Sequence, residues 1–78
     1  MNIQVRLFAA YADAVGSGQA TVSVPDPVTV GALRTAVSAL SPALPLRPII
    51  AVNEKYATDD VTISEGDEVA VIPPVAGG

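Results

Sequence analysis

The chain opens with a period of two. Ile3, Val5 and Leu7 alternate with Gln4, Arg6 and Phe8, the pattern of a strand with one face on a core and the other turned outward, so residues 2 to 8 read as a first strand. Ala9 to Val15 is alanine-rich and ends at Gly16-Ser17-Gly18, which predicts a short helical turn and then a loop whose glycines permit positive φ. Ala20, Val22 and Val24 alternate with Thr21 and Ser23 as a second strand, closed by Pro25-Asp26-Pro27. The spacing then lengthens to three and four. Val30, Leu33, Val37 and Leu40 fall on one helical face behind Thr29, a residue type that caps helices by accepting from backbone N–H groups one turn on. A helix from about 30 to 41 is predicted, stopped by Pro42 and Pro45.

Beyond the prolines, Pro48-Ile49-Ile50-Ala51-Val52-Asn53 is apolar at both parities, as in a strand buried on both faces. Lys55-Tyr56-Ala57 follows as a short edge strand, Asp59-Asp60 marks a turn, and Val61 and Ile63 lead into the tight turn Ser64-Glu65-Gly66-Asp67. Glu68 to Ile72 is the last strand. The order β-β-α-β-β-β, with an N-terminal hairpin and one main helix laid across a mixed sheet, is that of a β-grasp, or ubiquitin-like, domain of the α+β class. Residues 1–78 are expected to form one such domain, with 73–78 as a projecting tail.

Composition narrows the chemistry. Half of the 78 residues are hydrophobic and 15% are charged, enough to bury a core and far from the polar composition of disordered chains. A domain of this length holds roughly 4 to 12 kcal/mol of net stability, little reserve for a strained active site. Cys and His are both absent, which removes the thiol nucleophile, the thiolate metal site, the usual general base and the commonest transition-metal ligand. No internal metal or cofactor site is expected. The net charge of −4 sets eight acids against Arg6, Arg34, Arg47 and Lys55. Those four form no basic stripe, so nucleic acid is not an expected partner. No apolar run approaches the roughly 20 residues of a membrane span, and the N-terminus has no charged segment followed by an apolar one. A cytoplasmic location is expected.

The tail reads Pro73-Pro74-Val75-Ala76-Gly77-Gly78. Its prolines remove backbone donors and favour an extended course; six extended residues reach at most about 20 Å. Gly77 and Gly78, without Cβ atoms, pass where a side chain would jam. Two terminal glycines arise by chance in roughly 0.5% of chains, and chance does not account for the prolines. Chemistry at the Gly78 carboxylate is therefore the expected activity.

The segment Gly66 to Gly78, with Ala51-Val52-Asn53, Leu7-Phe8-Ala9 and the Thr29 to Leu33 helix start, resembles the small, sulfur-carrying subunits of molybdopterin synthases over essentially the whole chain. The resemblance implies that a ubiquitin-activating-type adenylyltransferase converts the Gly78 carboxylate to an acyl-adenylate, which a sulfur donor turns into a thiocarboxylate. ATP and sulfur thus act through the activating enzyme, with no cofactor bound to the chain itself. It further implies insertion of residues 73–78 into a large subunit, within a heterotetramer, where sulfur passes to cyclic pyranopterin monophosphate and the large subunit holds the catalytic side chains. Ala12 stands where relatives often carry a basic residue, and Ile72 where an aromatic is common.

Phe8 and Ile72 are the candidate partner contacts. The first and last strands are neighbours in this fold, which places Phe8 near Ile72 beside the tail's origin and leaves an apolar surface of the kind interfaces use; otherwise Phe8 is covered by its own loop. Asp59-Asp60 and Glu65-Asp67-Glu68 read as solvated turns, not cation sites. Gly16-Ser17-Gly18 lacks the lysine and helix of a phosphate loop. Two alternatives remain open: a related carrier for thiamine, cysteine or tRNA thiolation, and a β-grasp binding module whose terminus is inert.

Overall fold

The computed structural model describes residues 1–74; the expected chemistry of Val75, Ala76, Gly77 and Gly78 lies outside the described residues. The first strand, β1 (Asn2–Leu7), forms where the alternation is cleanest, with Ile3, Val5 and Leu7 buried and Asn2, Gln4 and Arg6 exposed. α1 (Ala9–Val15) follows and stops at Gly16, whose φ of 88° is left-handed and whose N–H donates to the Ala12 carbonyl at 2.8 Å. That closure favours a glycine, because a Cβ is strained in the left-handed region. β2 (Gln19–Ser23) returns antiparallel on β1, with Ile3 opposite Val22 and Val5 opposite Ala20.

The main helix, α2 (Val30–Ser38), is capped as its sequence predicts: Thr29 Oγ1 accepts from the Ala32 N–H at 3.3 Å. Its end comes three residues before the expected 41. Pro42 disfavours helical geometry at Ser41, and the last turn tightens, with Leu40 N–H donating to the Val37 carbonyl at 3.0 Å. Val30, Leu33 and Val37 are wholly buried. They share one apolar cluster with Val5, Ile50, Val69 and Val71.

Three further strands complete the main sheet: β4 (Ile49–Val52), β5 (Lys55–Tyr56) and β7 (Val69–Ile72). The spatial order is β2-β1-β7-β4-β5, with β7 parallel to β1 and antiparallel to β4. β3 (Val28–Thr29) and β6 (Thr62–Ile63) form a separate antiparallel pair, Val28 opposite Ile63 and Thr29 opposite Thr62. This pair departs from the simple β-β-α-β-β-β order. Strands of two residues are too short for an alternation to show in the sequence.

Two local ties hold the second half in place. Gly31 N–H donates to the Asp59 carbonyl at 3.0 Å, and a Cβ on Gly31 would stand 3.2 Å from the Asp59 Cβ; the helix start and the 57–60 segment pack too closely for a larger residue without movement. At the other end, Asn53 clips the β4–β5 hairpin to the start of β7. Its N–H donates to the Glu68 carbonyl at 2.7 Å, its Oδ1 accepts from the Glu68 N–H at 2.9 Å, and its Nδ2 donates to Asp67 Oδ1 at 3.1 Å.

Leu33 has no exposed surface, so truncating it removes transfer energy and leaves a cavity. Leu33→Ala is expected to lower unfolding free energy by about 3 kcal/mol, measured by urea denaturation of the full chain.

Candidate functional site

The strand parity that builds the core also builds the site. Val5, Leu7, Val69, Val71 and Ile50 face α2, so the residues between them face the other way. Across the sheet, Arg6 stands beside Ala70, Ala70 opposite Ala51, and Ala51 opposite Tyr56. One row further on, Ile49 lies opposite Ile72, and the parallel register extended by one residue from Leu7 and Val71 sets Phe8 beside them. Among the described residues no helix covers this face.

Phe8 is 41% exposed and Tyr56 76%, and Ile72 is half-buried. Phe8 is thus not covered by its own loop, and the register carries it toward the end of β7 that holds Ile72. Its backbone, at φ −131° and ψ 152°, continues the extended course of β1 before α1 begins. The reading of 48–53 as buried on both faces holds at Ile50 and Ala51, which are of opposite parity and both buried, and fails at Ile49, which is 44% exposed. Ile49 is the first residue of β4, at the border of the sheet, whereas Ala51 lies between Ala70 and Tyr56. Ile49 and Tyr56 are exposed apolar side chains on this face that sequence reasoning missed. The signal was the apolar residue at each parity of β4, which also fits a doubly buried strand.

The charged rim orders the apolar centre. Arg6 pairs with Glu68 at 3.0 Å, and its guanidinium carbon lies 6.0 Å from the Phe8 ring centroid. Both members of the ion pair are about half exposed, so the pair contributes little stability, and its effect is to orient Arg6 over the ring. Beyond Ile72 the chain leaves the sheet through half-buried Pro73 and exposed Pro74. The expected start of a projecting tail therefore issues from the row that holds Phe8, Ile72 and Ile49.

The acidic turns are spoken for. Asp59 accepts from Arg47 at 2.8 Å and pairs with Arg34. The Arg47 hydrogen bond, with the charges of both arginines, holds its carboxyl below the ordinary range against the opposing effect of desolvation. Asp60 is lowered by the Thr58 hydroxyl and by a backbone N–H. Asp67 is lowered by the Ser64 N–H and then by the Asn53 amide. Among the described residues no group of three or more acidic, His or Cys side chains is placed to hold a metal ion.

A mixed sheet with a parallel central pair and one main helix across one face defines a ubiquitin-like β-grasp protein, here with an apolar row at the origin of the C-terminal tail. The profile of the ThiS family matches residues 5–78, and the chain belongs to that family. The molybdopterin synthase sulfur carrier subunit of Drosophila sechellia is 34% identical over 83 residues, covering 100% of this chain and 92% of its own. The same-named subunit of Chlamydomonas reinhardtii is 32% identical over 83 residues, covering 100% of both. Among solved structures, SAMP1 from Haloferax volcanii superposes with a TM-score of 0.80 at 29% identity, each chain covered fully.

Asp67 binds its proton more weakly folded than unfolded, so its contribution to stability is present above the ordinary aspartate value of about 3.9 and is lost as pH falls through the lower folded value. Asp59 and Asp60 act in the same direction. Thermal melts are expected to hold steady from pH 6 to about pH 4 and then fall steeply, with a shallower fall for Asp67→Asn.

Proposed function

We propose that the chain is a sulfur carrier whose Gly78 carboxylate is adenylated and then converted to a thiocarboxylate, and that this sulfur goes to cyclic pyranopterin monophosphate in molybdopterin formation. The observation that carries the reading is the conjunction of a ThiS-family chain ending in Gly77-Gly78 with an uncovered apolar face where the tail begins. Relatives that match the entire chain include molybdopterin synthase sulfur carrier subunits.

The chemistry explains the division of labour. A carboxylate repels nucleophiles and offers no leaving group, whereas its mixed anhydride with AMP offers a good one. ATP transfers its adenylyl group to the Gly78 carboxylate and releases pyrophosphate; sulfur from a donor then displaces AMP and leaves a thiocarboxylate. A chain with no His and no Cys has no side chain suited to drive either step. The adenylyltransferase supplies the activation, and the large synthase subunit supplies the catalytic side chains for transfer to the pterin.

In this reading Phe8, Ile72, Ile49 and Tyr56 seat the domain on its partner, and Pro73, Pro74, Val75 and Ala76 carry Gly77 and Gly78 into the partner's cleft. The complex is a heterotetramer of two small and two large subunits, acting in the cytoplasm. The relative named SAMP1, whose full name is small archaeal modifier protein 1, supports a second reading, in which the activated terminus is joined to an amine of another protein.

Intact mass after incubation with the activating enzyme, ATP and a sulfur donor decides between them. Exchange of one terminal oxygen for sulfur, located at Gly78 by fragmentation, is the expected result. An unchanged mass beside a carrier modified in parallel would refute it. A chain lacking Gly78 is expected to fold normally and transfer no sulfur.

A further inference from the structure

The two borders of the main sheet are built differently. β5 ends one border with two residues, Lys55 and Tyr56. β2 forms the other with five, Gln19-Ala20-Thr21-Val22-Ser23, none of them charged and none a proline. The hydrogen bonds at its two ends fix which backbone groups face inward. The Gly18 carbonyl accepts from the Leu7 N–H and the Val24 N–H donates to the Met1 carbonyl, both at 2.9 Å. Antiparallel alternation therefore turns the N–H and C=O groups of Ala20 and Val22 toward β1, opposite Val5 and Ile3, and those of Gln19, Thr21 and Ser23 outward. Among the described residues this outward set has one partner, Ser17 Oγ, which accepts from the Gln19 N–H at 3.2 Å.

Such a border is a template for one more strand, and proteins blunt it with charges, prolines or bulges. β2 has none of these: its pairing with β1 runs without a break from Asn2 opposite Ser23 to Arg6 opposite Gln19. Charge and symmetry say what fits there. From Ala14 to Pro25 the chain carries no charged residue, in a molecule of net charge −4. A second copy brings the same net charge, and this run lets two copies meet without setting like charges against each other. A basic or acidic strand would find nothing in it to pair with. The strand is also self-complementary. Laid antiparallel on its own copy about Thr21, it sets Thr21 beside Thr21 and Gln19 beside Ser23, so that outward groups meet outward groups. The two Thr21 residues exchange a pair of hydrogen bonds, and each Ser23 N–H donates to the Gln19 carbonyl across the join.

We propose that two copies of this chain join edge to edge through β2, making their five-stranded sheets continuous about a two-fold axis at Thr21. The pairing uses the same border in both copies and leaves β5 at each outer end, where two residues template nothing further, so assembly closes at two. β7, the strand that leads into the tail, lies two places in from the joined border, and the pairing takes up no residue of the row from which the tail issues. It does not depend on the carrier reading. One short strand edge per copy is a smaller contact than the roughly 1,200 Å² of stable interfaces, and a dissociation constant on the order of 100 μM is expected.

The test is sedimentation equilibrium of the full chain from about 20 μM to about 1 mM, a span on either side of the expected constant. Wild type is expected to pass from monomer to dimer across that range, with its Thr21 and Ser23 amides exchanging with deuterium more slowly as concentration rises. Thr21→Lys and Thr21→Glu set like charges opposite each other at the two-fold axis. Each is expected to keep the wild-type circular dichroism and remain monomeric, and an equimolar mixture of the two to associate again. A wild type still monomeric at about 1 mM overturns the inference. A dimer that both variants retain overturns it too, because another surface would then hold the copies together, and so does a mixture no more associated than its parts. Should a variant lose the wild-type circular dichroism, amide exchange in wild type decides: protection of Thr21 and Ser23 that does not rise with concentration overturns the pairing.

Discussion

Parallel pairing of β1 with β7 joins residues far apart in the chain, bringing Arg6 beside Ala70 and Leu7 beside Val71 at the middle of the sheet. Such a contact cannot form until the intervening chain has turned through α2 and back, so it forms only if the intervening segments bury enough apolar surface to offset the closure entropy. Leu33, Val30 and Val37 do this by covering Val5, Val69 and Val71. Once that register is set, the position of Phe8 beside Ile72 and the point of departure of the tail are no longer independent choices.

The same register gives the sheet two unlike faces. A residue shift of one would exchange them, moving Val69 and Val71 to the surface and Ala70 and Ile72 into the core. One face is finished by helix α2. The other carries no helix among the described residues, with Ile49 in the row of Ile72, Tyr56 in the row before it and the Arg6–Glu68 pair at its rim. A domain of this size has no depth for an internal cleft, and its exposed apolar surface is correspondingly a plane with a strand end at one border.

What the sequence disclosed follows from what periodicity can record. β1 and β2 were legible because each alternates over several residues, and α2 because Thr29 caps it and its apolar spacing is sustained. β3 and β6 were not, since two residues carry no period; nor was the early end of α2, which depends on how Ser41 and Leu40 settle before Pro42. Phe8 and Ile72 could be placed together from the fold class alone. Ile49 and Tyr56 required the register of β4 against its two neighbours, a tertiary fact that no single strand's pattern contains. Gly77 and Gly78 stood out in the sequence because the chain has no Cys and no His to offer chemistry elsewhere.

The clip made by Asn53 has a bearing on how the sheet ends. Asn53 and Glu54 both take left-handed backbone angles, φ 52° and 69°, turning the chain so tightly that β5 is only Lys55 and Tyr56. A border strand of two residues, one of them charged, offers too few consecutive backbone groups to template a further strand. Edge-to-edge growth into ribbons or fibrils is thereby blocked on that border, while the apolar plane a few ångströms away stays open to a partner that approaches face-on.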